Sequence, residues 1–313
     1  MPESSKKIPA SLIIDDSGPV NMYFFHDQGR PHELLVPAAF LRDFAAAMRR
    51  HGVRGKFSMV PIPGGLGRLD GKVNLVPAGL VRDYVKIVAR EIEPAFSITP
   101  EILTHHLCYN PARGRCGHVC EDVHIAGLDA EGIAEYVGLG LEILTNVGLN
   151  PTGVTSPWRC GIDNEENYAR GIGMAFRRKL DRDRAFYFLH SHDHVILPTL
   201  MCDSPETGRV VSVPHHTFDA FWNTQNPATV RAARAAAREA MDRLLSPDGS
   251  TGVLRTLFEE GRPLVLISHW QSLFSDGRAI GLAGLERLVA RVNRVFGRRI
   301  EWVDFEELAF PQK

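Results

Sequence analysis

Short apolar runs alternate along this chain with longer segments in which apolar residues recur every three or four positions. The short runs predict β-strands, and the longer segments predict amphipathic helices. Strands are predicted at residues 11–14, 56–60, 95–98, 153–156, 186–190, 210–214, 263–268 and 300–303. Helices are predicted at residues 37–51, 77–88, 133–147, 163–180, 226–245, 253–260 and 282–295.

The order of these elements predicts the fold class. Strands and helices alternate from end to end, without a low-complexity linker or a repeat of fixed period. Such alternation is typical of an α/β protein with a mainly parallel sheet. About seven βα units over this length fit a closed barrel better than an open sheet. We therefore expect one catalytic domain over residues 1–313, a distorted (β/α)7-type barrel.

Composition limits the class of partner. The 313 residues are 44% hydrophobic, and the formal net charge is -1, which gives no indication of a nucleic acid or a membrane surface as partner. The first ten residues lack the apolar centre of a signal peptide, and no apolar stretch has the length of a membrane span. Five cysteines, an odd number, are typical of free thiols in a reducing compartment. We expect a cytoplasmic protein, and a homo-oligomer stays open.

Reactive side chains follow several of the predicted strands. The clearest case is the first strand, whose apolar residues lead directly into Asp15 and Asp16 and then into a turn. Taken alone, this pair is typical of a turn in which the carboxylates cap the next segment. Other strand ends carry similar groups: His105-His106, Ser156-Pro157-Trp158-Arg159, His190 and His269-Trp270. Because the strand ends of a barrel converge on one mouth, the sequence predicts one active site there.

These motifs resemble those of the polysaccharide deacetylases of the NodB-homology type, a group of carbohydrate esterases. The family's apolar strand ending in Asp-Asp-Gly is matched by residues 13–18 with one inserted serine. Its His-Ser/Thr-x-x-His motif is matched in part by residues 104–109, and its Arg-Pro-aromatic motif by a rearranged version at residues 156–161. Its strand ending in histidine is matched by residues 264–269. The order of the motifs agrees from about Ser11 to Leu308.

The resemblance implies a seven-stranded barrel that holds one divalent metal, usually zinc, and hydrolyses an N- or O-acetyl group on a sugar. It implies that Asp15 is the general base and that Asp16 and His105 are metal ligands. His269 is implied as the general acid that protonates the leaving group. A cation beside Asp16 would lower the pKa of a bound water and relieve the repulsion between the paired aspartates.

Two positions depart from the family's pattern. Tyr109 stands four residues after His105, where the family has its second metal histidine. His26, His106 or a residue of the 190s is then a candidate for the third ligand, and a site without metal also stays open. Arg159 follows the Pro-Trp pair, whereas the family's arginine precedes it. These departures favour the wider class of hydrolase over a deacetylase in the strict sense.

A run of alternating histidines lies further along the chain, at residues 190–194. Alternate residues of a strand share one face, and three imidazoles at that spacing suit zinc or copper. We expect a polar strand end and loop instead, with His190 or His192 contacting the substrate. The residues that we expect to bind the substrate are His26, Trp158, Arg159, His190, His192 and Trp270.

Aromatic and sulfur-containing residues add two weaker indications. Tryptophan rings at the mouth, with Trp222 and Phe274, are suited to stacking on a sugar ring, although tryptophan is also common in partly buried cores. Three cysteines and two histidines lie between Cys108 and His124. Their spacing lacks a second paired knuckle, so we expect an ordinary loop there and not a structural zinc site.

The sequence thus predicts a metal-dependent hydrolase that cleaves an amide or ester bond of a carbohydrate or a small acylated metabolite. One alternative is a glycoside hydrolase on a related barrel, in which Asp15 or Asp16 works with Asp193 or Asp219 as paired carboxylates. A second alternative is a non-catalytic sugar-binding barrel, which Tyr109 keeps open.

Overall fold

The computed structural model describes residues 7–26, 32–190 and 197–311. These residues form eleven strands: β1 (Ile8–Asp15), β2 (Gly55–Met59), β3 (Phe96–Pro100), β4 (Leu107–Asn110), β5 (Arg115–Cys120), β6 (Gly153–Thr155), β7 (Arg184–Phe188), β8 (Thr199–Ser204), β9 (Gly208–Ser212), β10 (Leu264–His269) and β11 (Ile300–Trp302). They also form eleven α-helices: α1 (Tyr23–His26), α2 (Ala38–His51), α3 (Ala78–Ile87), α4 (Glu121–Ala126), α5 (Ala130–Asn146), α6 (Glu165–Leu180), α7 (Val230–Leu244), α8 (Val253–Glu259), α9 (Trp270–Phe274), α10 (Ile280–Phe296) and α11 (Phe305–Ala309).

Parallel strands form the centre of the molecule. One sheet has the order β10-β1-β2-β3, with β11 paired to the start of β1, and a second has the order β6-β7-β9-β8. Two isolated parallel bridges, Ile98–Pro151 and Glu101–Thr155, connect β3 to the second sheet. The mixed α/β fold with a parallel sheet is therefore confirmed. The central described strands form two sheets and not one closed ring, so the closed barrel stays a prediction.

Alternation along the strands separates two layers of packing. Leu12 and Ile14 of β1 belong to the large cluster that packs against the helices. Ile13, between them, belongs to a second cluster with Phe186, Val265 and other side chains from β7, β9 and β10. Because side chains two apart on a strand share a face, Asp15 continues the face of Ile13 towards the inside of the curved sheets.

Two stretches of strand differ from the sequence-based expectation. Residues 107–120 form an antiparallel hairpin, and β8 adds an antiparallel edge to the second sheet. Neither has the clear alternation of apolar and polar residues by which strands are recognised, so both were missed. Among the described residues, no helix has the length and apolar character needed to cross a bilayer.

Candidate active site

Two adjacent carboxylates stand where β1 ends. Asp15 and Asp16 are both buried, and Asp15 is directly opposite His269 in the parallel pairing of β1 with β10. Asp16 adopts a φ of 61°, in the left-handed region that non-glycine residues rarely occupy. This conformation ends the strand, and the two carboxylates contact different partners.

Asp16 contacts a histidine and a second acidic residue. The Nε2 atom of His105 lies 2.9 Å from Asp16 Oδ1 and 3.4 Å from Glu101 Oε1. Glu101 Oε2 accepts the backbone N–H of Asp16 at 2.6 Å and the hydroxyl of Ser58 at 2.5 Å. Gln271 donates its side-chain N–H to the other oxygen of Asp16. All three acidic and imidazole side chains are buried.

The same three residues fit a metal ion. One donor atom from each of Asp16, Glu101 and His105 lies within 4.8 Å of the other two. Asp16 Oδ1 and Glu101 Oε1 are buried, and among the described residues only the imidazole of His105 lies within reach to donate to them. Buried carboxylate oxygens with so few donors are costly, and a cation would satisfy both. Two carboxylates and one imidazole are donors that zinc accepts.

The pKa values of Asp16, Glu101 and His105 depend on burial and on one another's charges. Burial opposes ionisation of Asp16, but the charge of His105 lowers the pKa of the Asp16 carboxyl well below its usual value. Burial, together with the charge of Asp16, raises the pKa of Glu101 well above its usual value. Burial also opposes the charge on His105, yet the charge and hydrogen bond of Asp16 raise the pKa of His105 to about 10. Without a metal, an imidazolium therefore holds the two acidic residues together.

Glu121 supports the turn that carries His105. Its carboxylate accepts the backbone N–H groups of Leu103, Thr104 and His105 at 3.1, 2.9 and 2.9 Å. It also accepts the hydroxyl of Tyr136 at 2.8 Å. His105 itself has a φ of 49°. Strained backbone of this kind persists where the surroundings hold it, and it concentrates at functional sites.

Asp15 has a lysine as its partner. The Lys56 ammonium donates to Asp15 Oδ1 and to the hydroxyl of Thr155, and both charged side chains are completely buried. The second oxygen of Asp15 lies 3.5 Å from Nε2 of His190. Burial lowers the pKa of His190 to about 3, so this imidazole is neutral at physiological pH.

His269, at the end of β10, is held by Asp219. Its Nδ1 atom lies 3.0 Å from Asp219 Oδ2, which also accepts the hydroxyl of Ser272 at 2.6 Å. Burial acts to lower the pKa of His269, but the hydrogen bond with Asp219 and the negative charge of Asp16 raise it to about 9. The ring of His269 stacks on that of His190 with the centroids 5.6 Å apart. An imidazolium with one nitrogen fixed by a carboxylate is suited to donate the proton on its other nitrogen.

The structure brings some of the predicted substrate-binding residues to this site. The ring of Trp158 lies 4.6 Å from that of His105, and His190 lies beside Asp15. Trp158 also has a left-handed φ of 47°. Trp222, whose ring is a candidate for stacking on a sugar, lies 4.9 Å from the ring of His269 and is 37% exposed.

Other predicted residues lie elsewhere. Trp270 is 0% exposed and packs against Phe40 and Phe57 in the core, so it presents no ring face to a substrate. Arg159 is exposed and pairs with Asp163 at 2.7 Å. The buried position of Trp270 corrects the interpretation from the sequence, because the residue after a strand end need not point towards the mouth. The assignment of Arg159 to substrate binding stays a prediction. His192 and Asp193 lie outside the described residues.

The candidates for a third ligand also need revision. His106 does not join the cluster of Asp16, and Tyr109 lies on β4, where its N–H donates to Tyr136. Of His26, only the backbone is described, within α1. Among the described residues, the third possible donor beside Asp16 and His105 is Glu101, directly after β3. A carboxylate after a predicted strand is the same signal that identified Asp15, so the sequence did contain an indication of Glu101.

Comparison with known proteins supports the fold. No protein-family model matches the sequence, and neither does any curated protein. Among solved structures, a "putative polysaccharide deacetylase" from Mycobacterium smegmatis is similar, with a TM-score of 0.52 and 16% identity over 86% of this chain and 75% of that one. The Puue allantoinase is similar with a TM-score of 0.52 and 12% identity, over 98% of this chain and 90% of that one. The resemblance to polysaccharide deacetylases is thus confirmed at the level of the fold.

Proposed function

We propose that this protein is a hydrolase that cleaves an amide or ester bond of a small polar substrate, with one divalent metal ion at Asp16, Glu101 and His105. The observation that carries the proposal is the convergence of two buried carboxylate oxygens on one imidazole nitrogen. A charged histidine beside this cluster supplies a proton donor. The similar structures are described as a deacetylase and an allantoinase, which supports the same reaction class.

Each residue has a role that follows from its contacts. A bound metal ion would lower the pKa of a water molecule and polarise the acyl oxygen. Asp15, whose Oδ2 atom accepts no hydrogen bond from the described residues, accepts the proton of the attacking water. His269 donates a proton to the leaving nitrogen or oxygen, and Asp219 keeps its ring in position. Trp158 and Trp222 border the space between these groups.

We also propose the identity of the metal and the class of substrate. Zinc suits the donor set of two carboxylates and an imidazole. Trp222 is 37% exposed, and a partly exposed indole ring suits the apolar face of a sugar ring, so an acylated carbohydrate or a similar acylated metabolite is the substrate class that we favour. The glycosidase alternative pairs Asp15 or Asp16 with Asp193 or Asp219. Asp219 is engaged by His269 and Ser272, and Asp193 lies outside the described residues. The alternative of a non-catalytic binding protein arises because Tyr109 stands where the family has a metal histidine. In this proposal Glu101 supplies that ligand instead.

The test is a measurement of metal content together with hydrolysis. Wild-type protein should contain about one equivalent of metal, and Asp16→Asn, Glu101→Gln and His105→Gln should each lose it. Asp248→Asn, at an exposed position, is the control that should keep it. His269→Gln should keep the metal but lose turnover in a screen of acetylated sugars and cyclic amides. Metal-free wild-type protein, or metal retention in all three ligand variants, would contradict the proposal.

A further inference from the structure

A second group of possible metal donors lies beside the first. One atom from each of Asp15, His190 and His269 lies within 4.8 Å of the other two. Asp15 directly precedes Asp16 in the chain, so the two groups are neighbours. By donor chemistry alone, this pocket has a carboxylate and two imidazoles for a second ion. Adjacent groups of this kind are the arrangement from which two-metal hydrolase sites are built.

The charges around the two groups differ. Among the described contacts of Asp16 and Glu101, no lysine or arginine is present. Asp15, by contrast, forms a completely buried ion pair with Lys56. Lys56 is held from two further sides, by the hydroxyl of Thr155 and by the ring of Phe188, whose centroid is 5.0 Å away. The second group therefore already contains a fixed positive charge.

We propose that the ammonium group of Lys56 takes the place of a second metal ion and keeps this centre mononuclear. Lys56 neutralises Asp15, and the two remaining donors, His190 and His269, are imidazoles without negative charge. A divalent cation there would lie close to a buried ammonium group, where repulsion is poorly screened. The assignment of the first metal rests on the proposed function, whereas the exclusion of an ion from the second group does not.

This arrangement has a consequence for the reaction. With Lys56 on Oδ1 and no metal at the second group, Oδ2 of Asp15, which accepts no hydrogen bond from the part of the chain that the structure describes, stays available to accept a proton. In a two-metal site the same oxygen would be a ligand and would lose that role. Lys56 is thus a positioning residue. It limits the centre to one metal ion and leaves Asp15 able to act as the base.

The test is the stoichiometry of metal binding in the Lys56→Met variant. Methionine keeps an unbranched side chain of similar length but removes the charge. By equilibrium dialysis against Zn²⁺ or Co²⁺ with elemental analysis, Lys56→Met should bind about one equivalent more than the wild type. The additional ion should be absent from Lys56→Met/Asp15→Asn and from Lys56→Met/His190→Ala. Lys86→Met, at an exposed position, should behave as the wild type.

The possible outcomes separate this inference from the proposed function. One equivalent in both the wild type and Lys56→Met overturns the inference and leaves the proposed function in place. No metal in the wild type but one equivalent in Lys56→Met supports the inference and contradicts the proposed function. If Lys56→Met does not fold, Lys56→Gln replaces it, because glutamine removes the charge but can still donate to Asp15. The inference then predicts that added metal binds at His190 and raises the melting temperature of Lys56→Gln. In wild-type protein itself, a second equivalent bound as tightly as the first also overturns the inference.

Discussion

Asp219 Oδ2 lies 3.0 Å from Nδ1 of His269 and 3.1 Å from the backbone nitrogen of the same residue. One buried carboxylate therefore fixes both the ring and the backbone of His269. The hydroxyls of Ser268 and Ser272 also donate to Asp219, at 3.2 and 2.6 Å. As a result, the orientation of the proposed acid is set by its surroundings before any substrate binds.

This relationship predicts how stability depends on pH in Asp219→Asn. The pKa of His269 is raised from 6.5 to about 9 in the folded protein, so the folded state holds this proton more tightly. The resulting stabilisation is fully present below about pH 6.5 and is lost as the pH rises through about 9. In metal-free protein, Asp219→Asn should lower the free energy of unfolding by roughly 1–3 kcal/mol at pH 6 and by less at pH 9.5.

Urea unfolding at these two pH values measures the difference. Asp163→Asn, which removes an exposed partner of Arg159, is the control and should change little at either pH. A loss of stability in Asp219→Asn that is the same at pH 6 and pH 9.5 would show that the ion pair with His269 does not contribute as described.

Metal binding should depend on pH because of His105. In the metal-free protein, its pKa is raised to about 10, so the ring is protonated at neutral pH, although only a neutral imidazole binds a metal. Binding must therefore release this proton, and the apparent affinity should rise about tenfold for each pH unit between pH 6 and 8. Calorimetric titration with Zn²⁺ in two buffers of different ionisation enthalpy measures the protons released. An affinity that is independent of pH would place the metal elsewhere.

The alternation of strands and helices was sufficient to predict the fold class, because buried parallel strands have a continuous apolar character that is visible in the sequence. The same reasoning led to Asp16 and His105, which the structure brings within 2.9 Å of each other. Glu101 was missed although it also follows a strand. Its relevance depends on the spatial order of β1, β2 and β3 and on the left-handed turn at Asp16, neither of which is local in the sequence.

Lys56 and Trp270 show a second limit of prediction from the sequence, which is the direction in which a side chain points. A lysine at the start of an apolar strand is usually assigned to the surface, and only the pairing with Asp15 shows that its side chain lies inside. Trp270 follows His269 directly, but α9 begins there and turns the indole into the core against Phe40 and Phe57. Neighbours in the sequence therefore point to opposite sides of one strand end, which residue patterns alone did not predict.

Glu121 is predicted to couple stability to the metal site. Glu121→Gln keeps the size of the side chain but replaces one acceptor oxygen with a donor that faces backbone N–H groups. We expect a loss of about 1–3 kcal/mol in the free energy of unfolding, together with weaker Zn²⁺ binding, because the turn that holds His105 loosens. Tyr136→Phe removes only the hydroxyl that donates to Glu121 and should cost about 1 kcal/mol without changing the affinity. Unchanged Zn²⁺ affinity in Glu121→Gln would contradict a role in positioning His105.

The two tryptophans next to the site should respond differently to substitution. Trp222 is partly exposed beside His269, so Trp222→Ala should raise the KM about tenfold for any substrate that stacks on it, with unchanged metal content and urea midpoint. Trp270 is completely buried, so Trp270→Phe should instead lower the free energy of unfolding by about 1–3 kcal/mol and leave the KM unchanged. Steady-state kinetics and urea unfolding of both variants measure the two effects side by side. An unchanged KM in Trp222→Ala would remove Trp222 from the substrate site, and the argument for a ring-containing substrate would lose its structural support.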